Sequence, residues 1–161
     1  MSVECIKIET LSPAVYIVEW PVSCSQEKYE EFVNRLRRLK RREDTLIVVT
    51  PEKIHPLICY AAYIHALDAY KSSRNKAKTL DLETLIIIYG NTQIGKLLSE
   101  IRYKIAERNS YNVCILYRGI HPGSEYLPEP PVKPSRCNKP KLTANILGKL
   151  ESIVANYLSA I

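Results

Sequence analysis

Apolar and polar positions recur along this chain with two different periods, and the switches between them divide it into strands and helices. Residues 3–8 alternate as a strand does, and residues 14–20 (Ala-Val-Tyr-Ile-Val-Glu-Trp) form a stronger one. Ser12-Pro13 reads as the turn between them, which predicts a hairpin that Pro21 ends. Ser23 and Gln26 match a capping box, opening a helix that runs to about Arg42 on a buried stripe of Tyr29, Phe32, Val33, Leu36 and Leu39. Residues 45–50 are continuous and β-branched, as in a strand covered on both faces. Pro56 suits the first turn of a helix reaching about Ser72. Its Ala61, Ala62, Ala66 and Ala69 allow a neighbouring helix to approach closely.

The second half continues the pattern. Thr79 N-caps a short, almost wholly apolar helix, with Asp81 and Glu83 at its positive end and Gly90 as its left-handed stop. Asn91 or Thr92 restarts a helix with Gln93 in its first turn, and Ile94, Leu97, Leu98, Ile101 and Ile105 on one face. Residues 112–117 are another buried strand. Residues 118–140 hold six of the ten prolines and no periodicity, so they read as an extended connection or mobile loop with little core of its own. Residues 141–161 are an amphipathic helix on which Leu142, Ile146, Leu147, Leu150, Ile153, Val154, Tyr157, Leu158 and Ile161 keep helical spacing. Interleaved strands and helices predict an α/β, mixed α+β fold: a single compact domain, a small mixed sheet covered by helices, and a long amphipathic C-terminal helix.

Composition narrows this picture. With 161 residues, 46% hydrophobic and 25% charged, the chain matches an ordinary globular domain. No apolar run reaches the roughly 18 residues of a membrane span, and the first residues do not read as a signal peptide, so a cytoplasmic place and no membrane partner are expected. Five cysteines (Cys5, Cys24, Cys59, Cys114 and Cys137) form no Cys-x-x-Cys pair and read as buried thiols in a reducing compartment. The wealth of Ile, Lys, Arg and Glu is also compatible with a thermophile, where intracellular disulfides are commoner.

The net charge of +6 favours a polyanionic partner, and its cations are clustered. Arg35, Arg37, Arg38, Lys40, Arg41 and Arg42 end one helix, where they either complement its dipole or contact phosphates. Lys71, Arg74, Lys76 and Lys78 flank the helix start at Thr79, and a helix N-terminus beside cations is a ready phosphate site. Asn75, Thr79 and Gln93 offer polar groups to unpaired bases, with Tyr63, Tyr70 and Tyr89 as stacking surfaces; Asn75 and Gln93 equally suit capping and loop-pinning. Glu83, among apolar neighbours, fits a structural bond to loop amides.

Catalytic signatures are missing: there is no Gly-rich phosphate loop, no Gly-x-Ser-x-Gly elbow and no acid–base carboxylate pair. His55 and Cys59 stand one turn apart, which is metal-like spacing, but two ligands do not make a site. Cys59 with His55 or His65 is the one imaginable thiol–imidazole pair. The expectation is a binding protein, not an enzyme, with no cofactor and no metal.

The ordered set Asn75-x-Ala77-x-x-Leu80-x-x-Glu83-x-Leu85, then Gly90-x-x-Gln93-Ile94, resembles the CGI-type, kinase-binding subunit of the KEOPS complex (the TPRKB family in animals), in its archaeal form. His65-Ala66 upstream and Asn112-Val113-Cys114-Ile115-Leu116 downstream continue the match, which spans roughly residues 45–117. The resemblance implies a compact mixed α/β domain and a regulatory subunit in the synthesis of N6-threonylcarbamoyladenosine in tRNA. It implies binding to the small atypical kinase, which sits on the carbamoyl-transferring subunit, and capture of the 3′ CCA end of tRNA. Arg74, Asn75, Lys76, Lys78, Thr79 and Gln93 are then the RNA-binding candidates. Ile153, Tyr157 and Leu158, at the end of the last helix, are the candidates for the kinase. The alternative is a protein-interaction module for the kinase with no specific RNA binding.

Overall fold

One antiparallel sheet organises the structure, with strands β1 (Glu4–Ile8), β2 (Val15–Ser23), β3 (Thr45–Thr50) and β4 (Ser110–Arg118) in the order β1-β2-β4-β3. The computed structural model describes residues 3–8, 14–38, 45–119, 137–141 and 143–160, the side chains of Arg37 and of residues 155–160 excepted. The expected turn at Ser12-Pro13 lies outside these residues. All three strand pairings are antiparallel, which corrects the expected mixed sheet. No single-helix crossover, the device that makes parallel pairs, links neighbouring strands: three successive helices separate β3 from β4. Parallel pairing among the described residues is confined to one bridge between Ile6 and Asn138.

The helices are α1 (Tyr29–Arg38), α2 (Pro56–Lys71), α3 (Leu80–Tyr89), α4 (Ile94–Arg108) and α5 (Ala144–Ala160). Side-chain alternation along β4 shows how they are layered. Tyr111 meets the rings of Tyr29 and Phe32 on α1 at 5.9 and 5.8 Å, whereas Cys114 neighbours Cys59 on α2. Positions 111 and 114 point to opposite faces of a strand, so α1 and α2 cover opposite faces of the sheet. An Arg102–Glu30 ion pair at 3.0 Å sets α4 beside α1. On the other side, Ala62 and Ala66 of α2 are fully covered and form a second cluster with Ile87 of α3 and Ile146 and Ile153 of α5. Small residues there let three helices meet.

Three element boundaries differ from expectation. Pro21 does not end β2, which runs on to Ser23 opposite Ser110. The last β1 pairing is Glu4 with Glu19, so beyond it that edge of β2 has no strand partner among the described residues, and a residue without an N–H is tolerated. The Ser23–Gln26 capping box forms, with Ser23 N donating to Gln26 Oε1 at 3.2 Å, but it closes a turn, and α1 starts only at Tyr29. At the far end, the expected helix over 141–161 begins at Ala144, where Thr143 Oγ1 accepts from Ile146 N at 3.3 Å.

The cysteines also depart from the expectation of free thiols. Cys5 and Cys137 are joined in a disulfide, while Cys24, Cys59 and Cys114 are free. Beside the bridge, Lys7 N donates to Asn138 O at 2.9 Å and Asn138 N donates to Cys5 O at 3.0 Å. The end of the proline-rich segment is therefore fastened to the outer edge of β1.

Candidate nucleic-acid interface

The basic loop between α2 and α3 is built around a buried carboxylate. Glu83, 3% exposed, accepts from Lys76 N at 2.8 Å and from Ala77 N at 2.7 Å, both on Oε2. This is the bond to loop amides that its apolar neighbours suggest. The Tyr70 hydroxyl and Asn75 Nδ2 both donate to Ala77 O, at 2.9 and 3.0 Å. With Ala77 itself buried, the loop has one internal anchor and its side chains at 76 and 78 are turned outward. Burial raises the Tyr70 pKa, Glu83 adds to the rise, and a hydrogen bond with Asn75 opposes it.

Each expected RNA-binding residue has a definite place. Lys76 and Lys78 are exposed, and neither makes an ion pair among the described residues. Arg74 is exposed but employed: its guanidinium bonds Asp68 Oδ2 at 2.9 Å and Ser72 Oγ at 2.8 Å, closing the last turn of α2. Such an exposed pair contributes about 0–1 kcal/mol and exchanges readily for a phosphate. Asn75 pins the loop as described. Thr79 caps α3, its Oγ1 accepting from Leu82 N at 3.4 Å. Gln93 is exposed at the start of α4 and makes no side-chain cap bond. It follows Gly90, the left-handed residue (φ 66°) that ends α3. Ten residues of helix, about 15 Å, stand between Gln93 and the loop, so the structure groups Arg74, Asn75, Lys76, Lys78 and Thr79 and leaves Gln93 apart.

The stacking candidates are less available than the sequence suggests. Tyr63 is buried in the core, and the Tyr89 hydroxyl donates to Glu52 Oε1 at 2.9 Å. In the other basic cluster, Arg35 bonds Glu27 at 3.1 Å and lies over the Phe32 ring, and Arg38 is exposed. Lys40, Arg41 and Arg42 lie outside the described residues.

One of the three candidates for the kinase requires a correction. Ile153 is 3% exposed and packs against α2 and α3, so it is part of the core. The side chains of Tyr157 and Leu158 lie outside the described set. Among the described side chains of α5, the exposed large apolar ones are Leu147 and Val154, 47% and 42% exposed.

Of the thiol–imidazole candidates, two have structural places. Cys59 is fully buried, and His55 Nδ1 accepts from Leu57 N at 3.2 Å as the N-cap of α2. Among the described residues no group of three or more His, Cys, Asp or Glu side chains is arranged to hold a metal. No helix among them is long and apolar enough to cross a membrane.

Two features escaped the sequence patterns. Glu19, on β2 beneath α2, is 1% exposed, and its Oε2 has no hydrogen-bond partner among the described residues. With the Asn112 amide assigned in the orientation that satisfies both its ends, Nδ2 donates to Glu19 Oε1 at 3.0 Å and Oδ1 accepts from Lys53 N at 3.2 Å. Burial pushes the Glu19 carboxyl up to about 7, Lys53 opposing and Glu4 adding to the rise. A lone polar residue in the strand 14–20 was the available signal. The second feature is a cavity of about 280 Å³ walled by residues from three distant stretches, 52–58, 88–89 and 149–153.

No model of a known protein family matches the chain, and no protein of established function matches it.

Proposed function

We propose that this protein is a non-catalytic regulatory subunit of the KEOPS tRNA-modifying complex, of the CGI type, acting in the cytoplasm. In this reading it binds the 3′ CCA end of tRNA and the small atypical kinase of the complex. The observation that carries the reading is the loop itself. Lys76 and Lys78 stand exposed on a backbone held by Glu83, immediately before the positive end of α3. A loop fixed in advance loses little freedom when it binds, so more of the phosphate attraction appears as affinity. The family pattern supports the same reading, because its residues form one unit here. Asn75 and Ala77 meet at the loop anchor, Glu83 holds it, Leu85 is core and Gly90 stops the helix. For the kinase, the exposed Leu147 and Val154 on α5 offer an apolar contact surface.

A pure kinase-holding module is the second reading, favoured by Arg74 and Asn75 both being committed to loop structure. The double variant Lys76→Glu/Lys78→Glu separates the two. Both side chains are exposed, so the fold should be kept. Fluorescence anisotropy should show tRNA affinity reduced at least tenfold with kinase binding unchanged. Unchanged tRNA affinity would leave the second reading.

A further inference from the structure

The cavity of about 280 Å³ lies at the opposite end of α3 from the basic loop, between the N-terminal turn of α2, the C-terminal turn of α3 and one face of α5. Ile54, Ile58, Ile88 and Ile153 supply its apolar surface. Its polar lining includes two lysines and a histidine. Lys53 and Lys149 are lining residues, and the charge of each acts on His55. His55 accepts from Leu57 N through Nδ1, so that nitrogen carries no proton and the ring hydrogen is on Nε2. Burial lowers the His55 pKa; Glu4 opposes this, and Lys53 and Lys149 add to it, so the ring stays neutral at pH 7 and remains a donor.

The one carboxylate in the lining is already engaged. Glu52 Oε1 accepts from the Tyr89 hydroxyl at 2.9 Å, and its Oε2 faces Arg108 Nη1 at 3.8 Å. Ser152 Oγ donates back to Gly148 O at 3.2 Å. The two lysines differ in turn. Lys53 is ion-paired with Glu4, whereas Lys149 has no carboxylate partner among the described residues. The lining thus combines one unmatched positive charge, a neutral N–H donor and an aliphatic floor.

We propose that this cavity is a binding site for a small monocarboxylate with an apolar body, its head group on Lys149 and His55 and its body against Ile58, Ile88 and Ile153. A single unmatched cation selects a single negative charge. The volume falls just under the roughly 300 Å³ at which ordinary ligand pockets begin, which suits a short acyl or aryl acid better than a nucleotide. An apolar body gains by leaving water, at about 25 cal/mol per Å² buried, and the charge fixes its direction in the site.

The test is a methyl NMR titration of the full chain, labelled at isoleucine, with octanoate, 1-octanol and adenosine monophosphate. Octanoate should shift the methyl signals of Ile58, Ile88 and Ile153 saturably and bind at least tenfold more tightly than octanol. Lys149→Glu, at an exposed position, should weaken octanoate at least tenfold and leave octanol unchanged. Equal binding of octanoate and octanol would overturn the site, as would an unaffected Lys149→Glu variant or shifts that never saturate. Tighter binding of the nucleotide than of octanoate would overturn the carboxylate and assign the cavity to a nucleic-acid end.

Discussion

Glu83 and Glu19 are both almost wholly buried, yet the fold uses them in opposite ways. Glu83 lies beside a loop whose amides at 76 and 77 point at it, so one oxygen satisfies two backbone donors. Glu19 lies between strands whose amides are already paired, and among the described residues the one donor to it is the Asn112 amide in its satisfied orientation. Burial therefore dominates at Glu19 and pushes its carboxyl to about 7. A buried acid organises structure when free backbone donors surround it. Where they do not, it becomes a proton site.

Three perturbations sharpen that contrast, taken from the largest effect down. Replacing Cys5 and Cys137 by Ser opens a link spanning 132 residues, worth about 5 kcal/mol in the chain-entropy account. It loosens β1, which carries Glu4 across from Glu19. Denaturant melts should show the loss, and hydrogen exchange should rise along β1 while amides 76 and 77 stay protected. Next, Glu83→Ala strands those two amides and removes their acceptor, at a cost of about 4 kcal/mol. Chemical unfolding should register this, with proteolytic nicking appearing in residues 72–79. A variant losing less than about 1 kcal/mol would mean that Asn75 and Tyr70 hold the loop unaided.

The third perturbation is pH. An acid whose folded value is raised keeps its proton in the fold after the unfolded chain has released it. Between 4.5 and about 7 the native state binds more protons, so stability falls as pH rises through that window and the loss is complete above it. At about 1.4 kcal/mol per unit of pH, the span is about 3 kcal/mol. Glu19→Gln keeps the shape without the charge. It should therefore be more stable than the parent at pH 8, match it near pH 4, and flatten the pH dependence of Tm between them. Equal stabilities at pH 8 would show that Glu19 ionises there without penalty.

Much of this architecture was legible from periodicity and capping chemistry. The strand 45–50, the Thr79 and Gly90 caps and the role of Glu83 all follow from local sequence, because each depends on neighbours within a few residues. What escaped depends on partners far along the chain. Pro21 stays in β2 because β1 stops at Glu4, and Cys5 finds Cys137 across 132 positions. Ile153 lies on the apolar stripe of its helix, which periodicity cannot divide between core and partner surface, and the packing of α2 against α5 shows that it is core. Gln93 is close to Thr79 in sequence, yet α3 holds it about 15 Å away. The cavity draws on three stretches, none of which carries a motif.

The most direct measurement of the central claim is a binding titration with two tRNAs, one intact and one lacking its CCA end, at two salt concentrations. The loop account predicts tight binding of the intact tRNA alone, with affinity falling steeply as salt rises and a slope smaller by about two when Lys76 and Lys78 are replaced. Equal, weak binding of both tRNAs would contradict it and reduce the exposed lysines to nonspecific charge.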